Sequence, residues 1–279
     1  MSILYSKIGL GTVQFGTDYG ISNDLGKTSL EEVQKIMEYS QKSGIQYLDT
    51  AYAYGNAEAI LGHFDLTSYK IISKYIPNKT SLSDQFQTSL SRLRVDYFYG
   101  YLAHRPLDLI ENNMKNWKIL SEFKFKGKVK KIGASFNTTD ELETVLDSGI
   151  KFDIIQVPFN YFDKRFEKAM KHLKSEGCEI HTRSAFLQGL FFCKTKDLSD
   201  FFNEVKPCID RLQRVDDLSS KLLKFVLNKP FVDIVNIGIN NMNQLRDNLN
   251  KLNGEKSSEL PPLDFIIDEK IVMPSLWPK

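Results

Sequence analysis

Asp49, Tyr54, Lys74 and His104 are the residues of this chain whose types and spacing could do chemistry together. Asp49, Lys74 and His104 each close or nearly close a short β-rich apolar run (IQYLDT, YKIISK and FYGYLAH), and Tyr54 lies in the loop after Asp49. An acid, a phenol, a base and an imidazole together suit the protonation of a carbonyl oxygen. A free tyrosine, with a pKa of about 10, gives up its proton reluctantly. A buried ammonium beside it would favour the phenolate and lower that pKa. Asp49 would keep Lys74 charged and positioned by a charge-assisted hydrogen bond. His104 would orient the carbonyl oxygen or help relay the proton. The other half of a reduction is a hydride, which no side chain supplies, so a nicotinamide cofactor is implied. Singly, each residue has an ordinary reading: strand-end Asp and Lys often form structural ion pairs, and Tyr54 is one of 12 tyrosines. The joint arrangement over three consecutive units carries the expectation.

The elements that must position these residues repeat along the chain. Strand candidates are IGLGT, IQYLDT, YKIISK, FYGYLAH, KVKKIGAS, DIIQVPF, EIHTRSA and VDIVNIG. Between them lie SLEEVQKIMEYSQKSG, DQFQTSLSRLR, NNMKNWKILSEF, TTDELETVLDSG and RFEKAMKHLKSEG, with apolar residues at three- and four-residue spacing. Ser29, Asp84 and Thr139 are expected N-caps, and Gly44, Gly149 and Gly177 expected helix stops. The alternation implies parallel strands with crossover helices, as an open doubly wound sheet or a closed (β/α)8 barrel. Eight strand candidates in about 240 residues match the α/β TIM barrel. No linker or composition shift interrupts residues 1–279, so a single domain is expected. In a barrel, the strand-end residues share one mouth.

Composition excludes several classes. Hydrophobic residues make up 42% of 279, enough for a sizeable core, so dominant disorder is excluded. Lys+Arg number 37 against 35 Asp+Glu, which gives no electrostatic reason to expect nucleic acid or an anionic membrane as partner. No apolar run reaches the roughly 18 residues of a membrane span, and MSILYSKIGLG lacks the features of a signal peptide. Cys178, Cys193 and Cys208 cannot all pair and form no CxxC, which fits reduced thiols in the cytoplasm. A Rossmann fingerprint fails, because Gly9-Leu10-Gly11-Thr12-Val13-Gln14-Phe15-Gly16 has a four-residue last gap where two are required. Walker A, HExxH and GxSxG motifs are absent, and the 4 histidines show no metal-ligand spacing, so no metal is expected.

The segment Leu48-Asp49-Thr50-Ala51-Tyr52-Ala53-Tyr54-Gly55-Asn56-Ala57-Glu58-Ala59-Ile60-Leu61-Gly62 closely resembles the aldo-keto reductase signature DTAxxYGxxExxLG. Further resemblances follow in chain order: Gly9-Leu10-Gly11-Thr12, Ser73-Lys74, Leu102-Ala103-His104-Arg105-Pro106, Ile132-Gly133-Ala134-Ser135, Ile155-Gln156-Val157-Pro158-Phe159-Asn160 and Ser184-Ala185-Phe186-Leu187-Gln188-Gly189-Leu190. The resemblance implies a barrel binding NADPH or NADH in extended form, a small-molecule carbonyl substrate, and a catalytic tetrad Asp49, Tyr54, Lys74 and His104 with Tyr54 as general acid. Gly11, Thr12 and Asp49 would lie near the nicotinamide ribose, and Ser135 and Gln156 would bond the carboxamide. Ser184, Phe186 and Gln188 would line the pyrophosphate, and Asp247 and Asn248 would hold the adenine end.

The chain departs from the family pattern at three points. Ser135 is followed by Phe136, with the usual Asn one place late at Asn137. Arg183 replaces the aromatic residue that stacks on the nicotinamide. A guanidinium can stack on a ring, although its charge disfavours the nicotinium; alternatively Arg183 turns outward to an anionic substrate or the cofactor pyrophosphate. Near the adenosine 2′-phosphate, the usual Lys and Arg fall on Gly238 and Gln244, which weakens NADP preference. The substrate pocket is expected from loop 185–208 and the tail 255–279. The loop's Phe186, Phe191, Phe192, Phe201 and Phe202, with Lys194 and Lys196, either suit a sugar or nucleotide-linked sugar or simply pack the loop onto the barrel. Beside reduction stand a lyase or isomerase using Lys74 as Schiff base or Tyr54 as base, and a regulatory subunit keeping cofactor as a redox sensor.

Overall fold

The computed structural model describes residues 5–250, 252, 260–263 and 265–278. Part of the expected substrate tail, namely 255–259, 264 and 279, lies outside the described residues. The strands are β1 (Ile8–Gly11), β2 (Tyr47–Asp49), β3 (Lys70–Tyr75), β4 (Phe98–Ala103), β5 (Val129–Ser135), β6 (Ile154–Pro158), β7 (Glu179–Arg183) and β8 (Ile234–Gly238). They form a closed parallel barrel in sequence order, so the chain is a (β/α)8 TIM barrel. Closure brings Gly9 opposite Asn236 and Gly11 opposite Gly238. A side chain at Gly9 would collide with the Asn236 amide, its Cβ falling 2.1 Å from Oδ1. Gly9 thus leaves room across the closure for the buried Asn236 side chain.

The crossover helices form where apolar periodicity and caps agree. Ser29 caps Leu30–Lys42 by accepting from the Glu32 amide, as expected. The other two caps sit earlier than expected. Ser81, not Asp84, caps Leu82–Leu93, and Thr138, not Thr139, caps Thr139–Asp147 through a capping box with Glu141. In both cases a hydroxyl stands three residues before an acid, and the acid belongs to the first turn rather than the cap. Gly44, Gly149 and Gly177 end their helices with φ of 77°, 85° and 90°, which favours glycine. The stretch expected as helix from Asn112 opens instead with left-handed φ at Asn112, Asn113 and Met114 before Glu111–Phe125 becomes regular.

One apolar cluster fills the layer between strands and helices, from Leu10, Leu48 and Ile155 out to Val33, Phe86 and Leu142. A second contains Leu190, Phe191, Phe202, Ile209, Leu222 and Ile271, and fastens the excursion between β7 and β8 to the C-terminal segment. No described helix is long and apolar enough to cross a membrane.

Candidate active site

The floor of the barrel mouth is an ion pair. Asp49 ends β2 and is 5% exposed, and Lys74, near the end of β3, is fully buried. Lys74 Nζ donates to Asp49 Oδ1 at 2.7 Å, to Oδ2 at 2.8 Å and to the Thr50 carbonyl at 2.8 Å. All three ammonium donors are thereby matched. Gln156 Nε2 donates to Asp49 Oδ2 at 2.6 Å, and Ser135 Oγ donates to Gln156 Oε1 at 3.3 Å. Burial pushes the Lys74 ammonium below its ordinary range, against the pull of Asp49.

Tyr54 and His104 stand beside this pair. Lys74 Nζ is 5.3 Å from the centre of the Tyr54 ring, and the His104 ring meets Tyr54 edge-on at 5.9 Å. The loop carrying Tyr54 is locked by backbone bonds from Tyr54 N to Ala51 O and from Ala57 N to Tyr54 O, each 3.0 Å. It is also pressed against Gly16, where a Cβ would lie 1.8 Å from Tyr54 O. Gly16, useless as a nucleotide fingerprint, is therefore what lets the first loop pass under Tyr54. Glu58 of the signature is buried and accepts from Ser73 Oγ at 2.7 Å and Ser89 Oγ at 3.0 Å, so it ties the Tyr54 loop's helix to β3 and its successor.

Protonation corrects one expectation. The Tyr54 phenol is raised above its ordinary range, first by burial and then by the Asp49 charge, rather than lowered by Lys74. Asp49 engages the Lys74 ammonium on both oxygens, and what remains of its field does not offset desolvation. Tyr54 is a protonated phenol at neutral pH. Burial, with Lys74, Arg183 and Arg105 adding repulsion, pushes His104 down to about 3, so its imidazole is neutral. His104 Nδ1 has no partner among the described residues.

Tyr54, His104 and Asp49 open onto a cavity of about 900 Å³. Every residue that the family resemblance assigned to the cofactor lines it, from Gly11, Thr12, Ser135 and Gln156 through Ser184, Phe186 and Gln188 to Gly238, Gln244, Asp247 and Asn248. The lining fits a long polar ligand. Asn236 and Gln14, both buried, and Asn240 present side-chain atoms without partners among the described residues. A Cβ at Gly238 would fall 2.6 Å from the Gln14 amide nitrogen. Ser184, Leu187 and Gln188 hold left-handed φ of 64°, 46° and 53° beside it, and such backbone persists where neighbours over-determine it, often at ligand clamps. Gln188 Nε2 donates to the Tyr19 hydroxyl at 2.9 Å, joining the loops after β1 and β7 across the cavity. Among the described residues, no group of three or more His, Cys, Asp or Glu could hold a metal ion.

The departures at Phe136 and Arg183 have one geometry. Phe136 is fully buried behind the barrel against Phe152, while Asn137 turns into the cavity. Arg183 Nη2 donates to Phe136 O at 2.9 Å and Asn137 Oδ1 at 2.5 Å, and Nη1 to Ser184 Oγ at 3.3 Å. Arg183 therefore lines the cavity and fixes Asn137. The phenylalanines of loop 185–208 divide: Phe191 and Phe202 are buried in the second cluster, while Phe186 and Phe192 face the cavity as a ring pair at 5.6 Å. Lys194 and Lys196 do not line it. Sequence reasoning missed Asn236 and Tyr19. The polar Asn236 inside the apolar run VDIVNIG, facing Gly9 across the closure, was the available signal.

Residues 7–260 match the Aldo/keto reductase family. The uncharacterized oxidoreductase YqkF of Bacillus subtilis is 26% identical over 288 residues, spanning 91% of this chain and 89% of that protein. The NADH-specific methylglyoxal reductase of Escherichia coli is 26% identical over 219 residues, spanning 67% of this chain and 66% of that protein. The fold is also that of an aldo-keto reductase from Bacillus halodurans, with a TM-score of 0.71 at 18% identity over 90% of this chain and 88% of that one. Because the family match begins before β1 and runs past β8, it takes in the whole barrel and its mouth: the chain belongs to the aldo/keto reductase family.

Proposed function

We propose that this protein reduces an aldehyde or ketone to an alcohol at the Tyr54–His104 mouth, using NADH or NADPH. The observation that carries the reading is a protonated phenol and a neutral imidazole side by side over a buried Asp49–Lys74 pair, opening onto the long polar cavity. The nicotinamide supplies hydride when bound. Ser135, Gln156 and Asn137 would hold its carboxamide, Gly11, Thr12 and Asp49 the ribose, and Ser184, Phe186 and Gln188 the pyrophosphate. Gln156 keeps an N–H and a lone pair for that role beyond its bonds to Asp49 and Ser135. Tyr54 donates a proton to the carbonyl oxygen as charge develops there, and His104, neutral, donates a hydrogen bond that orients the same oxygen. Because the phenol is held protonated until the proton moves, the cost of Tyr54's high pKa falls in the transition state rather than before it. Incubation with NADH or NADPH and a panel of aldehydes, ketones and sugars, followed at the nicotinamide absorbance, tests the reading. Cofactor that binds, as read by tryptophan fluorescence, but is never oxidised by any carbonyl would refute it.

The cofactor's adenosine end would lie at Asn240, Gln244, Asp247 and Asn248, where no lysine or arginine lines the cavity among the described residues. Arg246 points to Asp247 Oδ1 at 3.7 Å and does not line it. Each charge-assisted bond to a 2′-phosphate contributes about 1.5–3 kcal/mol, or about 10- to 150-fold in affinity. Preference for NADPH over NADH is therefore expected to be below about 100-fold, or reversed. The NADH-specific relative from Escherichia coli is consistent with this. Dissociation constants for both cofactors, in wild type and Arg246→Ala, check it. A strong NADPH preference surviving that substitution overturns it.

A further inference from the structure

The cavity's charge is unbalanced at its reacting end. Arg183 is the only lysine or arginine among the described residues that line it. The Asp49 carboxylate is held by Lys74, Asp247 sits at the adenosine end beside Arg246, and His104 is neutral. Arg183 bonds three neutral acceptors, Phe136 O, Asn137 Oδ1 and Ser184 Oγ, and no carboxylate pairs with it among the described residues. Of the five N–H groups of a guanidinium, two remain without a partner there. A half-buried guanidinium with two free N–H groups on a cavity wall can take an anion by charge-assisted hydrogen bonds. Its charge is felt by Tyr54, Lys74 and His104 together, which puts it at the reacting end rather than along loop 186–188.

We infer that Arg183 selects carbonyl substrates that carry an oxyanion, a carboxylate or a phosphate, held at the guanidinium while the carbonyl meets Tyr54 and His104. This inference rests on the carbonyl-reductase reading and narrows its substrate class. The anion also removes an electrostatic conflict. A bound nicotinamide would gain positive charge on giving up hydride, and an unneutralised Arg183 guanidinium nearby would oppose that. A neutral substrate leaves that opposition in place, so discrimination is expected in turnover as well as in binding.

Matched pairs test the claim: 4-carboxybenzaldehyde against its methyl ester, and glyceraldehyde 3-phosphate against glyceraldehyde. The kcat/KM ratio of anion to neutral partner is expected to be at least about tenfold in the wild type for one pair or both, and which pair responds tells carboxylate from phosphate. Arg183→Gln should bring the ratio close to one, and Arg183→Lys should retain part of it, with thermal melting confirming that both fold. A wild-type ratio near one for both pairs overturns the inference, as does a ratio that survives Arg183→Gln. Tenfold weaker cofactor binding in Arg183→Gln with the ratio unmoved also overturns it, by assigning the guanidinium to the cofactor. If the wild type reduces none of the four compounds and no other carbonyl of the panel, the reductase reading is what fails. Calorimetric titration with 4-(hydroxymethyl)benzoate still decides the anion site: affinity at least about tenfold weaker in Arg183→Gln supports it, and unchanged affinity refutes it.

Discussion

The barrel holds two sets of the same four chemistries, one at each end. At the mouth are Asp49, Lys74, Tyr54 and His104; toward the opposite end are Glu179, Tyr99 and Lys131, early on β7, β4 and β5, with His181 midway along β7. The lower set is tied together through Glu179, although His181 Nδ1, like His104 Nδ1, has no partner among the described residues. Glu179 accepts from the Tyr99 hydroxyl at 2.7 Å, from Lys131 Nζ at 2.5 Å, and meets His181 Nε2 at 2.7 Å. Tyr47 and Lys70 pack around it, with the ammonium 4.8 Å and 5.3 Å from the Tyr47 and Tyr99 ring centres. Among the described residues, the upper carboxylate serves only the lysine and Gln156, so the phenol and the imidazole stay uncommitted and face a cavity. Residue type does not separate the candidate catalytic set from the scaffold here. What separates them is whether the carboxylate consumes the hydroxyl and the imidazole or leaves them free.

The sharpest way to break this comparison is to remove the two phenolic hydroxyls. Tyr54→Phe is expected to lower carbonyl-reduction kcat by at least about 10²-fold, the lower end for general acid catalysis. Tyr99→Phe is expected to change kcat by less than about threefold while lowering the melting temperature, because a half-buried carboxylate loses a donor. Steady-state kinetics and melting curves on both variants check this. Equal losses of kcat would mean that the lower set is not merely structural.

The lysines give the next largest effect. Lys74→Met leaves Asp49 buried with Gln156 as its remaining side-chain donor, and should cost on the order of 3–5 kcal/mol along with most activity. Lys131 is partly exposed, and Glu179 keeps His181 and Tyr99, so Lys131→Met should cost clearly less. Urea denaturation of both variants measures the difference. An unchanged midpoint for Lys74→Met would mean that the upper pair is solvated.

Why the fold and part of the site were legible in the sequence follows from the same contrast. Strand runs and helix periodicity are local, so all eight strands and the Gly44, Gly149 and Gly177 stops could be read directly. The grouping of Asp49, Lys74 and His104 was readable because they sit at strand ends, and parallel strands bring equivalent ends together. The protonation of Tyr54 was not readable, since it depends on how completely Asp49 engages Lys74. Nor was the Arg183–Asn137 bond, which joins residues 46 apart across the ends of β5 and β7. Glu179 and His181 were passed over inside EIHTRSA for the same reason: their partners Tyr99 and Lys131 come from other strands.

The smallest expected effect separates the two sets by pH. His104 is held neutral, at about 3 against an ordinary 6.5, so the unfolded chain binds its proton first as pH falls. Its contribution to stability is complete above pH 6.5 and is lost progressively toward pH 3. For Glu179, burial acts to raise the pKa, but the bonds from His181, Lys131 and Tyr99 prevail and hold it at about 2 against 4.5. Its contribution is complete above pH 4.5 and fades toward pH 2. One group limits either slope to about 1.4 kcal/mol per pH unit, and the opening of the His104 ring to the cavity reduces its share further. Denaturation midpoints measured from pH 7 to pH 3 should therefore fall less steeply in His104→Gln than in wild type, with the difference beginning near pH 6.5. In Glu179→Gln the slope should match wild type until about pH 4.5 and flatten only below it. Flattening of both variants over the same window would mean that the two ends of the barrel titrate as one network, and that the upper imidazole is not kept apart from its surroundings.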